Sequence, residues 1–532
     1  MQKLIVIVIV ASVFILSACG HLKIEKASDF NINESTLSGL HKAIQNGTSC
    51  EAITNAYITQ IKKYDKTTNL NAIILFNPNA IKRARQLDMQ FQTSGKLTAL
   101  HCAPVILKDN FDTADMPTEA GAIALKGSIP PDDAFMVKKL RQAGAIIIAK
   151  SNMAEWAFSP YETISSTHGT TANAYDVSRV PAGSSGGTAS AIAANFGIIG
   201  MGTDTGNSIR GPASHLSLVG IRSTIGMTSR DGVVPLLLNR DIAGPLTRTV
   251  EDAAKTFNII AGYDSADPVT SAAKAHIKKD YTIYLKKSGL KNARLGVLRE
   301  IYNDTADPEV IKLFDKAILD LQTAGAIIID NVEVNDFDQL KSATGFCSRF
   351  RHDLNNYLNS LGNNAPLKNF QEMIDNKLFD ERNSGAMKWA SAVTIKPEEQ
   401  SPPCIDVKGD PRRKALLDAV MSTMKQHKLD AIIYPSWSNP PRKIGDLKSA
   451  HGNNSPVIAP HTGQPAITVP MGFVTKSVDS KSFEEQGLPA GLQFLAAPFN
   501  EHLLFQYAYA YEQATLHRKP PTLSLNVSSS QK

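Results

Sequence analysis

The sequence has little of several features that assign a protein to a class at once. Its 532 residues include only five cysteines, with no Cys-x-x-Cys pair or other zinc-ligand spacing, so we expect no metal site. There is no dense run of lysine or arginine, and the formal net charge of +6 is small for this length. Nucleic acid is therefore not expected as a partner. The chain also shows no internal repeat.

What remains is the profile of an ordinary globular protein. Hydrophobic residues make up 42% of the chain and charged residues 20%, which are typical values for a folded domain. The length is sufficient for one large α/β core or for two domains.

The N-terminus has the pattern of an export signal. A positive start, Met1-Gln2-Lys3, precedes an apolar run over residues 4–16, which is too short to span a membrane comfortably as a helix. The run ends in Leu16-Ser17-Ala18-Cys19, which resembles the bacterial lipobox. This resemblance implies cleavage before Cys19 and attachment of lipid to that residue. An ordinary secretory signal with a chance cysteine is the alternative.

The lipobox resemblance also implies a location. Gly20 rather than aspartate follows the cysteine, which resembles signals for the outer membrane rather than for inner-membrane retention. We therefore expect an exported protein that lipid on Cys19 anchors to the periplasmic face of the outer membrane. Residues 1–18 would form the signal peptide, and residues 19–34 a polar tether to the folded domain.

The four remaining cysteines can pair in an oxidising compartment. They are Cys50, Cys102, Cys347 and Cys404. Four cysteines allow three pairings, and the sequence alone does not choose among them. Proximity along the chain favours Cys50 with Cys102 and Cys347 with Cys404. An isolated buried thiol is the alternative at each position.

Residues 181–211 carry most of the information about function. A turn of glycine and serine, Gly183-Ser184-Ser185-Gly186-Gly187, precedes an alanine-rich helix, a short apolar strand and a second turn of small residues at 203–208. A helix followed by a returning strand can bring Ser184 and Ser208 together. Glycines and a helix N-terminus supply backbone N–H groups at the same place. The pattern therefore favours a hydroxyl nucleophile beside an oxyanion site.

The glycine-serine turn has three other interpretations. A flexible linker is typical of Gly-Ser sequences, but patterned elements flank this turn on both sides. A nucleophile elbow also fits Gly-x-Ser-x-Gly, but an elbow follows a buried strand, and Pro181 makes the preceding residues a poor strand. A phosphate-binding loop requires Gly-Lys-Ser/Thr after the glycines, and this triplet is absent.

Three segments together resemble the amidase signature family of serine hydrolases. The family pattern is G-S-S-G-G followed by G-T-D-x-G-G-S-I-R, and this chain has GSSGG at 183–187 and GTDTGNSIR at 202–210. The family lysine lies on an upstream strand in an apolar-Lys-Asp context, which matches VILKDN at 105–110. Matches at three separate places, in this order, make the resemblance specific.

The resemblance implies a Ser–Ser–Lys triad with a cis peptide bond before the first serine. Ser208 would be the nucleophile, Ser184 the relay and Lys108 the base. The oxyanion would be held by the backbone N–H groups of Thr205, Gly206 and Asn207. This chemistry requires no cofactor and no metal ion.

Asn207 departs from the family, which has glycine at this position. Asparagine tolerates positive φ better than other residues with a side chain, so an oxyanion turn can survive the change.

Ser185 is expected to support the two turns. An ion pair of Asp204 with Arg210 is also expected to hold the turn that carries Ser208. A pair with a purely structural role is the alternative. Trp437, in a loop after a strand, is predicted to line the substrate pocket.

Helix and strand patterns alternate along the rest of the chain. The clearest are a capped helix over 50–64, a strand over 104–108 and a helix–turn–strand unit over 132–149. Alternation along the second of these places Lys108 and Asp109 on opposite faces, which keeps a carboxylate away from the base.

The family resemblance implies an α/β fold in which helices cover both faces of a single large, mixed, twisted β-sheet. The catalytic domain would span residues 35–523 and include a helical excursion over 332–406 that shapes the pocket. Residues 524–532 would form a disordered tail.

The activity that the resemblance implies is hydrolysis of a carboxylic amide, either a small amide or the C-terminal amide of a peptide. An esterase of the same fold uses the same chemistry and is one alternative. A lipid-anchored binding protein with a degenerate site is another, and Asn207 is the feature that favours it. A tRNA-linked amidotransferase subunit shares the signature, but an export signal is incompatible with that cytoplasmic partnership.

Overall fold

One mixed β-sheet of eleven strands forms the centre of the protein, and a separate hairpin has two strands. The structure, a computed structural model, describes residues 30–476 and 487–523. The predicted signal peptide, Cys19, most of the predicted tether and the predicted tail lie outside these ranges. Within them, no helix combines the length and the apolar character needed to cross a bilayer.

Strands and helices are numbered in chain order. The strands are β1 (Ile73–Phe76), β2 (Pro104–Lys108), β3 (Ile146–Ser151), β4 (Ile164–Ser165), β5 (Gly169–Thr170), β6 (Ile199–Asp204), β7 (Val219–Arg222), β8 (Ile242–Thr247), β9 (Arg294–Val297), β10 (Ile327–Ile329), β11 (Ala431–Pro435), β12 (Ala466–Val474) and β13 (Leu488–Ala496).

Sixteen α-helices lie in the described part of the chain. They are α1 (Leu37–Gln45), α2 (Cys50–Tyr64), α3 (Ala80–Ser94), α4 (Phe135–Gln142), α5 (Gly186–Ala193), α6 (Arg210–His215), α7 (Val250–Ile260), α8 (Ala273–His276), α9 (Pro308–Thr323), α10 (Phe337–Ala343), α11 (Phe350–Ser360), α12 (Phe370–Asp375), α13 (Ser384–Ser391), α14 (Pro411–Gln426), α15 (Ala459–Thr462) and α16 (Glu501–Thr515).

The order of the strands in the sheet is β1-β3-β2-β6-β8-β7-β12-β13-β11-β9-β10. Strand β2 runs parallel to β3 and β6, whereas β8 pairs antiparallel with β6 and β7. The sheet is therefore mixed and flanked by helices, as the family resemblance predicts. Parallel pairing of β3, β2 and β6 brings their carboxyl ends to one edge, where ligands bind in α/β sheets.

The clearest local patterns are confirmed. Strand β2 has the predicted bounds, and Ser49 caps α2 by accepting a hydrogen bond from the Ala52 N–H. The helix of the helix–turn–strand unit begins at Phe135, later than predicted. Ala134 has extended backbone and donates its N–H to the Asp112 carbonyl at 3.0 Å, so the chain becomes helical only at Phe135.

Helix α5 is completely buried, which explains its small side chains. A Cβ atom at Gly200 of β6 would lie 2.6 Å from Cγ2 of Thr188, and one at Gly202 would lie 2.9 Å from Oγ of Ser185. Only glycine allows the strand to approach the helix this closely. The two glycines therefore let the glycine-serine turn sit directly on β6.

The excursion over 332–406 contains the short helices α10 to α13 and packs on the main body. The ring of Phe350 lies 5.6 Å from that of Trp156 and 4.9 Å from that of Phe158. The Tyr357 hydroxyl donates a hydrogen bond to the Asp112 carboxylate at 2.9 Å. Full burial of a side chain such as Phe350 contributes roughly 1.5–3 kcal/mol, so these contacts hold the excursion firmly.

The first described residues, at the end of the predicted tether, already contact the domain. Phe30 and Ile32 pack against the main core, and Glu34 forms an ion pair with Arg518 at 2.7 Å. The chain is therefore bound to the domain from residue 30 onward.

Both disulfides that proximity along the chain favours are present. Cys50 pairs with Cys102 and Cys347 with Cys404, at Cα–Cα distances of 5.4 and 5.7 Å. The first joins α2 to the segment before β2, and the second closes the excursion. Their sequence separations of 52 and 57 residues mean that each bond restricts the unfolded chain considerably.

Replacing Cys50 and Cys102 together with alanine should lower the free energy of unfolding by about 2–5 kcal/mol, because the unfolded chain regains the entropy that the bond removes. Urea denaturation of the oxidised proteins, followed by circular dichroism, measures this difference. Reduction of the wild-type protein should move its midpoint in the same direction. Coincident curves for the variant and the oxidised wild type would contradict the prediction.

Candidate active site

Lys108 and Ser184 meet at the carboxyl edge of the parallel strands. The Lys108 Nζ donates a hydrogen bond to Ser184 Oγ at 2.7 Å and another to Thr203 Oγ1 at 2.7 Å. Thr203 lies on β6, the parallel neighbour of β2, so the two strand ends are adjacent. The structure thus brings together two of the three predicted triad residues and adds Thr203, which the sequence analysis missed.

Lys108 is fully buried. Burial lowers the pKa of its amine to about 7, although the negative charges of Asp241 and Asp204 act in the opposite direction. A substantial fraction of the amine is therefore uncharged near neutral pH. An uncharged amine can accept a proton, whereas an ordinary lysine at this pH cannot.

Asp109 lies on the other face of the strand end, as the alternation predicts. Its carboxylate accepts hydrogen bonds from the N–H groups of Glu119 and Gly121 at 3.3 and 3.1 Å. The Asp109 carboxylate therefore binds backbone N–H groups rather than the Lys108 amine.

The glycine-serine turn is fastened to its surroundings on two sides. The Ser185 Oγ donates to the Thr203 carbonyl at 3.2 Å and accepts from the Thr203 N–H at 3.3 Å. The Ala154 N–H donates to the Ser184 carbonyl at 3.1 Å. The Gly183–Ser184 peptide bond is cis, as the resemblance implies. Ser185 therefore joins the glycine-serine turn to the end of β6.

A buried carboxylate organises the second turn, which carries Ser208. Asp204, at the end of β6, contacts Arg210 Nε at 3.0 Å and Arg222 Nη1 at 3.1 Å, and all three side chains are fully buried. Burial alone would raise the pKa of Asp204, but the two guanidinium groups hold it below its usual value. The predicted ion pair is present, and Arg222 is a second cation that the sequence analysis missed.

Arg210 also reaches the turn itself. Its Nη2 donates to the Gly206 carbonyl at 2.6 Å, and its Nη1 donates to the Ser455 carbonyl at 2.7 Å. On the other side of the turn, the Thr205 hydroxyl donates to the Asp241 carboxylate. These bonds fix the backbone of residues 205–208 in one conformation.

Asn207 joins the two serine-bearing turns. Its Nδ2 donates to the carbonyl oxygens of Pro160 and Gly183 at 3.2 and 3.4 Å. The backbone of Asn207 does not have positive φ, so the tolerance of asparagine for that conformation is not needed here. The side chain in place of the family glycine therefore has a structural role.

Ser208 lines a cavity of about 300 Å³. Its hydroxyl makes no hydrogen bond to any residue that the structure describes, and neither do the N–H groups of Thr205, Gly206 and Asn207. Four aromatic residues line the same cavity, namely Phe158, Tyr161, Phe346 and Trp389. The remaining lining residues outside the turn are Ala157, Pro160, Leu236, Leu237, Asn453 and Pro456.

Trp437 does not line this cavity. The residue is buried, and its ring packs against those of His215 and Tyr161, at centroid distances of 4.5 and 6.4 Å. The loop after β11 thus takes the indole behind the wall residue Tyr161. Phe346 and Trp389 of the excursion, which the sequence analysis did not single out, form part of the wall instead.

One cluster in the described ranges has the composition of a metal site. It consists of Cys50, His101 and Cys102. Because the two cysteines form a disulfide, they offer no thiolate ligands. The two cysteines of this cluster therefore form a covalent crosslink, and they precede both serine turns in the sequence.

The family model described as Amidase matches residues 52–505 of this chain. A protein named "probable amidase" from Arabidopsis thaliana is 32% identical over 542 residues, which cover 97% of this chain and 97% of that protein. Residues 52–505, which the family model matches, include both serine turns and the lysine strand.

Solved structures show the same similarity in three dimensions. The native peptide amidase from Stenotrophomonas maltophilia superposes with a TM-score of 0.81 at 32% identity, covering 92% of this chain and 99% of that chain. A structure of the peptide amidase PAM with the competitive inhibitor chymostatin gives a TM-score of 0.80 at 32% identity, covering 93% and 100% of the chains. With the sheet, the matched sequence and these structures in agreement, the chain belongs to the amidase family, whose members are hydrolases of amide C–N bonds.

Proposed function

We propose that the protein is an exported amidase that hydrolyses a small amide or the C-terminal amide of a peptide through Ser208, Ser184 and Lys108. The observation that carries this proposal is the 2.7 Å hydrogen bond between the fully buried Lys108 amine and the Ser184 hydroxyl. The peptide amidase structures support a peptide or small amide as the substrate class.

The proposed reaction begins with Ser208. Its Oγ attacks the carbonyl carbon of the amide, and its proton passes to Ser184, whose own proton passes to the uncharged amine of Lys108. The tetrahedral oxyanion accepts hydrogen bonds from the unoccupied N–H groups of the turn over 205–207. One such donor is typically worth about 3 kcal/mol in the transition state.

Collapse of the tetrahedral species breaks the C–N bond. The proton held by Lys108 returns through Ser184 to the leaving nitrogen, so that ammonia or an amine departs neutral. Water then attacks the carbonyl carbon of the ester formed on Ser208, and its proton passes through Ser184 to Lys108. The ester C–O bond breaks, the proton returns through Ser184 to Ser208 Oγ, and the carboxylic acid is released. The cycle leaves the three side chains in their starting protonation states.

Replacing Ser208 with alanine should lower kcat for ammonia release by about 10⁴-fold or more, because the nucleophile is removed. Ammonia released from aliphatic, aromatic and C-terminal peptide amides is the measurement. Ser190→Ala is a matched control, since it removes a buried hydroxyl that donates to the Ala172 carbonyl instead. Wild-type turnover in Ser208→Ala, or labelling of that variant by a fluorophosphonate probe, would refute the assignment.

Lys108 should make the reaction dependent on pH. Since the amine must be uncharged and its pKa is about 7, kcat/KM should rise with pH through this value and level off above it. Lys108→Met keeps a buried chain of similar length without the amine, and should lower kcat by about 10²–10⁴-fold. A flat profile in the wild type, or normal activity of the folded variant, would remove Lys108 from the triad.

The location of the enzyme in the cell is the second part of the proposal. The N-terminal pattern and the two disulfides both support export, because disulfides persist in oxidising compartments. Lipid on Cys19 would then keep the enzyme on the periplasmic face of the outer membrane.

Cys19→Ala, produced in a bacterium that processes lipoproteins, should leave the protein unlipidated and move it out of the outer-membrane fraction. Incorporation of labelled palmitate and fractionation of the cells measure the two effects. A wild-type protein that carries no label and stays soluble would overturn the anchor while leaving the amidase proposal intact.

A further inference from the structure

One wall of the Ser208 cavity comes from the excursion and is strongly apolar. Phe346 and Trp389 line it, and 43% and 36% of their surfaces are exposed. None of the described residues that line the cavity is charged. A charged group brought against such a surface would lose its water without gaining a partner.

Phe346 lies in a short segment, residues 344–348, which we call the strap. Arg240 holds one end of this strap in place. The Arg240 Nη2 donates to the carbonyl oxygens of Thr344 and Gly345, each at 3.0 Å. The same guanidinium lies 4.5 Å from the centroid of the Phe346 ring, within the range of a cation–π contact. Arg240 therefore holds both the backbone before Phe346 and its ring.

The other end of the strap is held covalently. Cys347 pairs with Cys404, and the Gln400 side chain donates to the Ser348 carbonyl at 2.9 Å. The Ser348 hydroxyl in turn donates to the Trp389 carbonyl at 3.2 Å. The disulfide thus anchors the strap next to Phe346. Through Ser348, the strap also contacts the backbone of Trp389.

The strap lies next to the proposed reaction centre. A Cβ atom at Gly206 would be 3.5 Å from Cζ of Phe346, so the ring borders the oxyanion turn. Asp241, the neighbour of Arg240 in sequence, accepts a hydrogen bond from the Thr205 hydroxyl. A group bound against Phe346 would accordingly lie beside the scissile carbonyl.

We propose that the site selects amides that carry a bulky, neutral, apolar group next to the scissile carbonyl. Phe346 and Trp389 determine this selectivity, and the disulfide-anchored strap positions them. The inference rests on the proposed amidase function and adds its substrate class. A wall that is already ordered before binding loses little conformational freedom when the substrate arrives.

Five N-acetyl amino-acid amides that differ only in the side chain test this selectivity. Those of phenylalanine and leucine should have kcat/KM values at least about tenfold above that of alanine. Those of glutamate and lysine should fall below alanine. Ammonia release is normalised to the active-site concentration, which titration with a fluorophosphonate probe supplies, so misfolded protein does not enter the comparison.

Variants assign the selectivity to the strap. Phe346→Ala and Trp389→Ala should each lower the phenylalanine-to-alanine ratio of kcat/KM by at least about fivefold, and so should Cys347→Ala combined with Cys404→Ala. Ile395→Ala, at a 51% exposed position of the same excursion, and the Cys50/Cys102 double alanine variant are the matched controls. Neither control should change the ratio.

Two outcomes overturn the inference. The first is a wild-type enzyme that processes the glutamate or lysine amide as well as the phenylalanine amide. The second is a wild-type ratio in the Phe346 and Trp389 variants, or in the Cys347/Cys404 variant, which would remove the aromatic wall or the strap from selectivity. Failure of the amidase proposal looks different, because no amide would then release ammonia and the probe would not label Ser208.

Discussion

The carboxylate of Asp204, buried between Arg210 and Arg222, is the contact on which the proposed active site depends. Removing a carboxylate from water costs several kcal/mol, which only close opposite charges and hydrogen bonds offset. The two guanidinium groups at 3.0 and 3.1 Å supply that compensation. Because Arg210 also binds the Gly206 carbonyl, the same interaction shapes the turn that presents Ser208.

Two buried lysines on neighbouring strands show how position on a strand decides chemistry. Lys150 of β3 pairs in register with Leu107, whereas Lys108 pairs with Ser151, so the two amines lie on opposite faces of the sheet. Lys150 donates to the Phe111 carbonyl and the Thr118 hydroxyl. Lys108 instead meets the hydroxyls of Ser184 and Thr203, and this surrounding suits a proton acceptor.

The excursion ties the pocket wall to the body of the domain by contacts from several elements. Glu155, in the segment after β3, accepts hydrogen bonds from the Asp380 N–H at 3.0 Å and from the Ser166 hydroxyl. Together with the Tyr357–Asp112 bond and the Cys347–Cys404 disulfide, it limits the movement of the wall. The proposed selectivity and the proposed catalysis thus depend on different parts of the chain that are held in one rigid arrangement.

Much of the site could be predicted from the sequence because its central residues are local. Lys108 ends a short apolar strand, and Ser184 and Ser208 each stand in a turn of small residues, so a few neighbours suffice to mark them. Proximity along the chain also favoured the observed pairing of the cysteines, although the sequence alone left all three pairings open. Trp437 was misplaced as a lining residue because a loop residue after a strand can lie in front of a wall or behind it.

The sequence by itself determined the family, the position of the lysine strand and the two serine turns, since these depend on contiguous residues with recognisable spacing. Only the tertiary structure decided which distant groups meet them. Arg222 and Asp241 reach the site from positions that no local pattern distinguishes. Thr203 lies within the signature segment, but only the pairing of β2 with β6 places it against Lys108. Burial, which lowers the pKa of Lys108 to about 7, is likewise a property of the whole packed sheet, because it arises from every element that excludes water from the amine.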